Sequence, residues 1–235
     1  MAAEVAAPQK RFYRQRAHAN PLADRGLRHP PRPQDMDWAE LFPDFFPPAA
    51  PPGQPPPRVE FADLGCGYGG LLVALSPLFP GSLMLGLELR AKVAAFAGQR
   101  LRALRAARPG AFGNVAVLRG NAMKHLPHFF CKGQRPKHKW RIISPALLAQ
   151  YGYVLRPGGL VYTVTDVPEL HEWMVTHFGE HPLFEAVPPE ELEADPVAAL
   201  LATATEEGRK VQRAGRPVFP AVFRRCQDPD PGGAL

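Results

Sequence analysis

Apolar residues along this chain come in short runs separated by stretches of helical spacing, the alternation that builds an open α/β sheet. Val59 to Leu64 reads as a buried strand, and Leu71, Leu72, Leu75 and Leu78 follow it on one helical face until Pro77 and Pro80 end the helix. Leu83 to Glu88 predicts a second strand. Over 91–108, Val93, Phe96, Ala97, Leu101 and Leu104 keep helical spacing, with Arg100, Arg102, Arg105 and Arg108 largely elsewhere, and Pro109-Gly110 stops the run. Asn114 to Leu118 is a third strand. Ser144 is a good N-cap with Pro145 at the first helical position, ahead of an apolar face of Leu147, Leu148, Tyr151 and Leu155. Leu160 to Thr165 is a strand ending at Asp166, and His171 to Phe178 is helical. Residues 183–187 and 218–224 look like a final antiparallel pair, with the polar stretch 202–210 opening a helix between them. The pattern predicts a doubly wound, mostly parallel sheet with helices on both faces.

That pattern breaks once. Between the third strand and Ser144 a fourth apolar strand should appear, and 122–141 offer only Phe129-Phe130-Cys131 running into Lys132-Gly133-Gln134-Arg135-Pro136-Lys137-His138-Lys139-Trp140-Arg141. One central strand is therefore expected to be missing. Each large apolar side chain it would have buried is worth roughly 1.5–3 kcal/mol. Either the first strand pairs directly with 160–165, or the sheet is poorly formed.

The flanks differ from the core. Residues 1–9 are Ala-rich and expected to be disordered. Lys10, Arg11, Arg14, Arg16, Arg25, Arg28 and Arg32 are interleaved with Phe12, Tyr13, His18 and His29, and only Asp24 opposes them. Such a mixture can neutralise phosphates and stack on bases, or simply remain a solvated basic tail. Asp35 to Pro43 predicts a short turn that docks Trp38, Leu41 and Phe42. Residues 47–57 hold seven prolines, the composition of a stiff linker. The expected organisation is a basic tail with a docking turn over 1–46, a linker over 47–57, one α/β domain over 58–228 and a disordered end over 229–235.

The net charge of +6 is compatible with a polyanionic partner. Three cysteines, Cys66, Cys131 and Cys226, show no metal spacing and fit a reducing compartment. No apolar run approaches the roughly 18 residues needed to cross a membrane, and no apolar core follows the N-terminal charges as a signal peptide would require.

The chemistry concentrates at Asp63-Leu64-Gly65-Cys66-Gly67-Tyr68-Gly69-Gly70, a strand–glycine turn–helix of the kind that holds nucleotide-type cofactors. Gly65, Gly67 and Gly70 let the backbone turn tightly and approach a ligand, and the helix start at Gly70 offers free N–H groups. Glu88, ending the second strand, can take both hydroxyls of a ribose. Asp63 favours S-adenosylmethionine over a nicotinamide dinucleotide, because a carboxylate there attracts an ammonium and repels a pyrophosphate. Asn121, beyond the third strand, is placed to meet an adenine edge, although a turn-favouring Asn would look the same.

These residues together resemble the tRNA (guanine-N7-)-methyltransferase family, eukaryotic branch. The matching segments include Tyr13 to His18 with Asn20-Pro21, Asp37-Trp38, Phe61 to Gly70, Leu85 to Arg90 and Asn121 to Lys124. Lys139 to Ile142, Gly158 to Thr163, Thr165-Asp166 and Thr205 to Gly208 continue the match in order, over nearly the whole chain. The resemblance implies a Rossmann-like class I fold using S-adenosylmethionine, held by Gly65, Glu88, Arg90, Asn121 and Ala122, with Thr205, Glu206 and Glu207 closing over it. It implies methyl transfer to N7 of a guanine in the variable loop of tRNA, with Arg14, Arg16, Lys137, Lys139 and Arg141 on the RNA backbone. It also implies a heterodimer with a non-catalytic WD-repeat propeller subunit, and a place in the nucleus. The departure lies at the same break. The family's apolar fourth strand and its Phe-Pro-Asp-Pro-His-Phe-Lys loop have no counterpart here, so the catalytic residue is left unassigned. The alternative this opens is a catalytically inactive isoform that binds tRNA, the propeller partner, or both.

Overall fold

A computed structural model describes residues 6–16, 20, 26–27, 29–47, 55–130, 138–140, 143–201 and 203–228. A single helical turn at Lys10–Tyr13 and a second at Pro33–Asp35 precede helix α1 (Trp38–Leu41). Asp37 caps α1 by accepting from the Glu40 amide at 2.8 Å, and Phe42 behind it is wholly buried. Trp38 and Leu41 pack half-buried beside it, as the pattern around them predicted.

The α/β alternation then runs β1 (Val59–Leu64), α2 (Gly70–Leu75), β2 (Leu83–Glu88), α3 (Ala91–Ala107), β3 (Val115–Arg119) and α4 (Ala122–Phe129). It continues with β4 (His138–Trp140), α5 (Pro145–Val154), β5 (Leu160–Thr165), α6 (Pro168–Glu180) and β6 (Phe184–Ala186). Three short helices, α7 (Pro189–Leu192), α8 (Pro196–Leu201) and α9 (Glu206–Arg213), lead to β7 (Phe219–Arg225). The strand order is β3-β2-β1-β4-β5-β7-β6, with β7 antiparallel to both its neighbours and the other pairs parallel.

This order corrects the expectation of a missing central strand. The position between β1 and β5 is filled by three residues, His138–Trp140. Ala62 and Asp63 of β1 stand in register with His138 and Lys139, which in turn face Val161 and Tyr162 of β5. The segment has neither apolar periodicity nor length, so it reads as a polar loop. It is a strand because two long neighbours offer it unpaired edges, and tertiary context decides strand formation more strongly than propensity does. Direct pairing of β1 with β5 does not occur.

Two cores sandwich the sheet. One gathers Ala62, Leu64 and Val161 from the sheet against Phe42, Leu126 and Phe129 of the α1 and α4 side, and Leu148, Tyr151 and Phe178 of α5 and α6. The other gathers Phe61, Met84, Tyr162 and Val222 against Leu71 and Leu72 of α2, Leu101 of α3 and Val197 and Leu201 of α8. A register irregularity between Val59 and Phe61 sends these two residues to opposite cores, although a regular strand would put them on one face. The α2 helix ends at Leu75, sooner than expected, and Leu78 is left half-exposed rather than on its apolar face. The Ser144 cap is present, its hydroxyl accepting from the Leu147 amide at 3.4 Å.

Candidate cofactor site

Parallel strands deliver their carboxyl ends to one edge of the sheet, and β1, β2 and β3 bring Asp63, Glu88 and Asn121 there. All three are buried, as is Thr205. The turn after β1 takes left-handed backbone at Gly65, Gly67 and Gly69, with φ of 73°, 56° and 72°. Only glycine adopts that region without strain. Gly70 does something else. A Cβ there would lie 2.5 Å from the Ala204 carbonyl oxygen, so this glycine admits the chain just before α9.

The turn is fastened to the end of β2 through its own amides. Gly65 and Cys66 donate to the Leu87 carbonyl at 2.7 and 3.2 Å, and Gly67 donates to Glu88 Oε2 at 3.0 Å. A turn that cradles phosphate must keep such amides free for the anion. Here three of them are engaged internally, which argues against a pyrophosphate held by the turn itself. What the turn presents outward is open space: a Cβ on Gly65 would meet nothing within 4 Å.

Glu88 is the hub. Besides Gly67 it accepts from the Arg90 amide at 2.9 Å and from the Arg90 guanidinium at 3.0 and 2.9 Å. These four bonds fill the acceptor sites of a carboxylate. Two of them belong to the Arg90 side chain, which is partly buried but reaches solvent and can exchange with a pair of hydroxyls. The hydrogen bonds and charge of Glu88 raise the Arg90 pKa further, so the guanidinium stays charged. Cys66 lies beneath the turn, and burial, followed by the charges of Asp63 and Glu88, pushes its thiol well above the ordinary range. Burial is the larger cause; the Asp63 and Glu88 charges that add to it are what would attract a cationic ligand. A sulfonium-bearing cofactor with a ribose therefore fits this donor set, and a dinucleotide fits it poorly.

Asn121 caps α4, its side-chain oxygen accepting from the Met123 amide at 3.1 Å, and Ala122 begins that helix against the core. Both readings of this Asn survive: it makes the turn, and it does so at the sheet's ligand edge. Thr205 is buried and accepts from the Gly208 amide at 2.9 Å, which caps α9, and Glu206 and Glu207 are the first two residues of that helix. Through the contact of Ala204 with Gly70, this segment stands beside the glycine turn.

The basic tail is less free than its composition suggests. Tyr13 donates its hydroxyl to Gln99 and sets its ring edge on Phe96 at 5.5 Å. Gln15 accepts from the Lys92 amide at 3.2 Å, and Lys10 lies 5.4 Å from the Tyr68 ring centroid. The tail thus docks on α3 beside the glycine turn, with Arg14 and Arg16 exposed. Lys139 sits in the central strand rather than on a loop. Lys137 and Arg141 lie outside the described residues. Sequence reasoning singled out Tyr13 but missed its partners Phe96 and Gln99, and with them Tyr68 and Arg100, whose guanidinium holds the Tyr68 carbonyl at 3.1 Å. Among the described residues no helix is long and apolar enough to cross a membrane.

Comparison with known proteins places this geometry in context. A family model described as "Putative methyltransferase" matches residues 57–137 and 134–221. The two matches meet at the point where the sequence pattern breaks. The tRNA (guanine-N(7)-)-methyltransferase of Mus musculus is 61% identical over 252 aligned positions, covering 97% of this chain and 94% of its own length. Since 97% of 235 residues is about 228, about 24 of those positions have no residue of this chain opposite them. The Homo sapiens protein of the same description is 60% identical over 97% of this chain and 91% of its own, and that of Danio rerio 56% over 96% and 98%.

Proposed function

Because the chain belongs to the tRNA (guanine-N7-)-methyltransferase family, we propose that it transfers a methyl group from S-adenosylmethionine to N7 of a guanine in the variable loop of tRNA. The observation that carries this reading is the 61% identity with such an enzyme over 97% of this chain. The internal bonding of the Gly65, Cys66 and Gly67 amides supports it independently, since it disfavours phosphate-bearing cofactors.

Guanine N7 carries a lone pair, so it attacks without being deprotonated and the protein need supply no general base. S-adenosylmethionine supplies, when bound, the electrophilic methyl group. The chain's own work is to bind and align. Asp63 and Glu88 hold positive charge and hydroxyls at the ends of β1 and β2. Asn121 offers an amide to a purine edge. The Thr205 cap keeps the start of α9 beside the turn, where it covers one side of the ligand. Arg14 and Arg16, exposed on the docked tail, contact RNA phosphates and position the substrate without reading its sequence. No residue here takes the place of the family's active-site carboxylate. Its absence removes a grip on the guanine's N1–H and amino group rather than a proton acceptor. A WD-repeat propeller partner and a nuclear location are part of the same proposal.

The test is methyl transfer from labelled cofactor to unmodified tRNA by the purified chain, alone and with the propeller subunit, with N7-methylguanosine mapped by base-specific cleavage. Transfer at the variable loop is the expected result. Cofactor and tRNA binding with no transfer would establish the second reading, an inactive binding isoform. That reading draws on one observation, the division of the family match into two parts that meet at 134–137.

A further inference from the structure

Away from the cofactor edge, three histidines meet where the N-terminal segment crosses α4. The His29 ring stacks on His125 at 3.7 Å between centroids, and His128 stands edge-on to both at 4.8 and 5.5 Å. One ring nitrogen of each lies within 4.8 Å of those of the other two. The tautomers of two are fixed by the surroundings. Nδ1 of His29 and Nδ1 of His128 each lie 3.1 Å from the Pro30 carbonyl oxygen. A carbonyl only accepts, so both Nδ1 atoms carry hydrogen, and the lone pair of each neutral ring is on Nε2. A second-sphere carbonyl that orients imidazoles and leaves one nitrogen free is how metal-binding histidines are held.

We propose that His29, His125 and His128 form a binding site for a borderline divalent transition metal, with zinc as the occupant. Three imidazoles suit zinc, copper or nickel and suit magnesium or calcium poorly. With zinc–nitrogen bonds of about 2.0–2.1 Å, tetrahedral ligand atoms stand about 3.3 Å apart, so ring nitrogens that now lie up to 4.8 Å apart must draw together, and a ring that reaches the metal through Nδ1 must first release the Pro30 carbonyl. The chain can supply that movement. His29 is on an irregular segment, and His125 has non-helical φ and ψ of −126° and 19° inside α4, two residues before Pro127. Pro127 removes one helical amide and crowds the preceding turn, which loosens the backbone that carries His125. Half-burial leaves all three reachable from solvent, and a water can complete the fourth position. The cleft beside His29 is lined by Asp35, Asp37 and Glu40, opposed by Arg119.

Such a metal would cross-link the stretch leading into α1 to α4, the helix that Asn121 caps. It would be a structural clamp, independent of methyl transfer. The test titrates zinc into the full chain after chelator treatment, by calorimetry, with cobalt as the visible spectroscopic probe. One equivalent binds saturably, and cobalt develops the absorption of a low-coordinate nitrogen site. At 100-fold excess over Kd the thermal midpoint rises by about 5–11 °C. His29→Gln and His128→Gln each weaken binding by about 10-fold or more while the metal-free melting point holds. Because a variant can misfold, histidine modification by diethylpyrocarbonate is mapped on the unaltered chain with and without zinc. Protection of these three histidines supports the site. Saturable uptake that leaves the three unprotected, affinity unchanged in both folded variants, or no saturable uptake overturns it.

Discussion

Two helical glycines should respond in opposite directions to the same substitution. At Gly70 an added methyl would sit 2.5 Å from the Ala204 carbonyl oxygen, about 0.9 Å inside the 3.4 Å at which ordinary contact begins. That carbonyl cannot retreat cheaply. The Ala204 amide donates to Leu200 at 2.9 Å, Arg209 donates to the Thr205 carbonyl at 3.0 Å, and Thr205 holds the Gly208 amide. Overpacking of this kind costs about 1–3 kcal/mol, against a helix-propensity gain of at most about 1 kcal/mol. Gly70→Ala is therefore expected to lose about 1–2 kcal/mol, and to weaken cofactor binding because the chain before α9 is pushed from the turn. At Gly98, inside α3, the nearest atom to a new Cβ is a mobile Arg102 nitrogen at 3.9 Å. Gly98→Ala should gain about 0.5–1 kcal/mol by stiffening the unfolded chain and favouring the helix. At about 2–4 °C per kcal/mol for a chain of this size, the two midpoints separate by about 3–12 °C. Thermal melts with and without S-adenosylmethionine read both effects. A Gly70→Ala protein that melts with the parent and keeps its cofactor-induced shift would refute the close approach of the α9 segment.

Glu88→Gln leaves the Arg90 guanidinium partly buried without its charge partner, so it should cost about 1–3 kcal/mol of stability and most of the cofactor affinity, whereas Glu88→Asp should keep part of both; equilibrium dialysis and melts separate the two losses. The Cys66 thiol is raised in the folded chain, so its contribution is complete below the ordinary thiol value of 9.0 and is lost as pH climbs above it, because the unfolded chain then releases a proton the folded one retains. Stability should fall by up to about 1.4 kcal/mol per pH unit there, and Cys66→Ala should flatten that slope below the tyrosine range; equal slopes in both proteins would count against burial of the thiol. Arg14→Ala and Arg16→Ala should each reduce the slope of log affinity for tRNA against log salt by about 1 without altering which nucleotide is modified, as titrations across salt concentrations would report.

Most of the sheet was legible because its signals are local. The β1, β2 and β5 strands are apolar runs bounded by Gly or Pro, Ser144 and Thr205 are caps placed ahead of the helices they start, and β6 and β7 pair as their patterns suggested. The glycine turn could be located but not understood from sequence. That its amides point inward depends on Leu87 and Glu88, more than 20 residues away. The docked tail was read as basic and aromatic, yet the pairing of Tyr13 with Gln99 spans 86 positions, and no local pattern encodes it. The placement of β4 is of the same kind: nothing within residues 138–140 announces a strand, and only the edges of β1 and β5 define one.

That short strand explains how the sheet keeps its centre with only three residues there. A parallel sheet needs two things from an inner strand, backbone partners for its neighbours and a lateral spacing of about 4.8 Å on each side. Three residues provide both at the level of Ala62 to Asp63 and of Val161 to Thr163, which on β1 is the end nearest the glycine turn. They hold β5, and with it α5 and the β7 hairpin, at the distance from β1 that the architecture requires. The apolar seal comes from elsewhere. Leu126, Phe129 and Phe130 on and after α4, with Leu147, Leu148 and Tyr151 on α5, converge on Ala62, Leu64 and Val161. On the opposite face Phe61 and Tyr162 join the same cluster as α2 and α8. The carboxyl edge of β1 and β2, where Asp63 and Glu88 stand, is thereby kept intact, while the family match divides in two at 134–137, just before β4. The chain keeps the geometry for holding a cofactor more fully than the geometry for presenting a base to it, so cofactor affinity should survive changes in this region that abolish transfer.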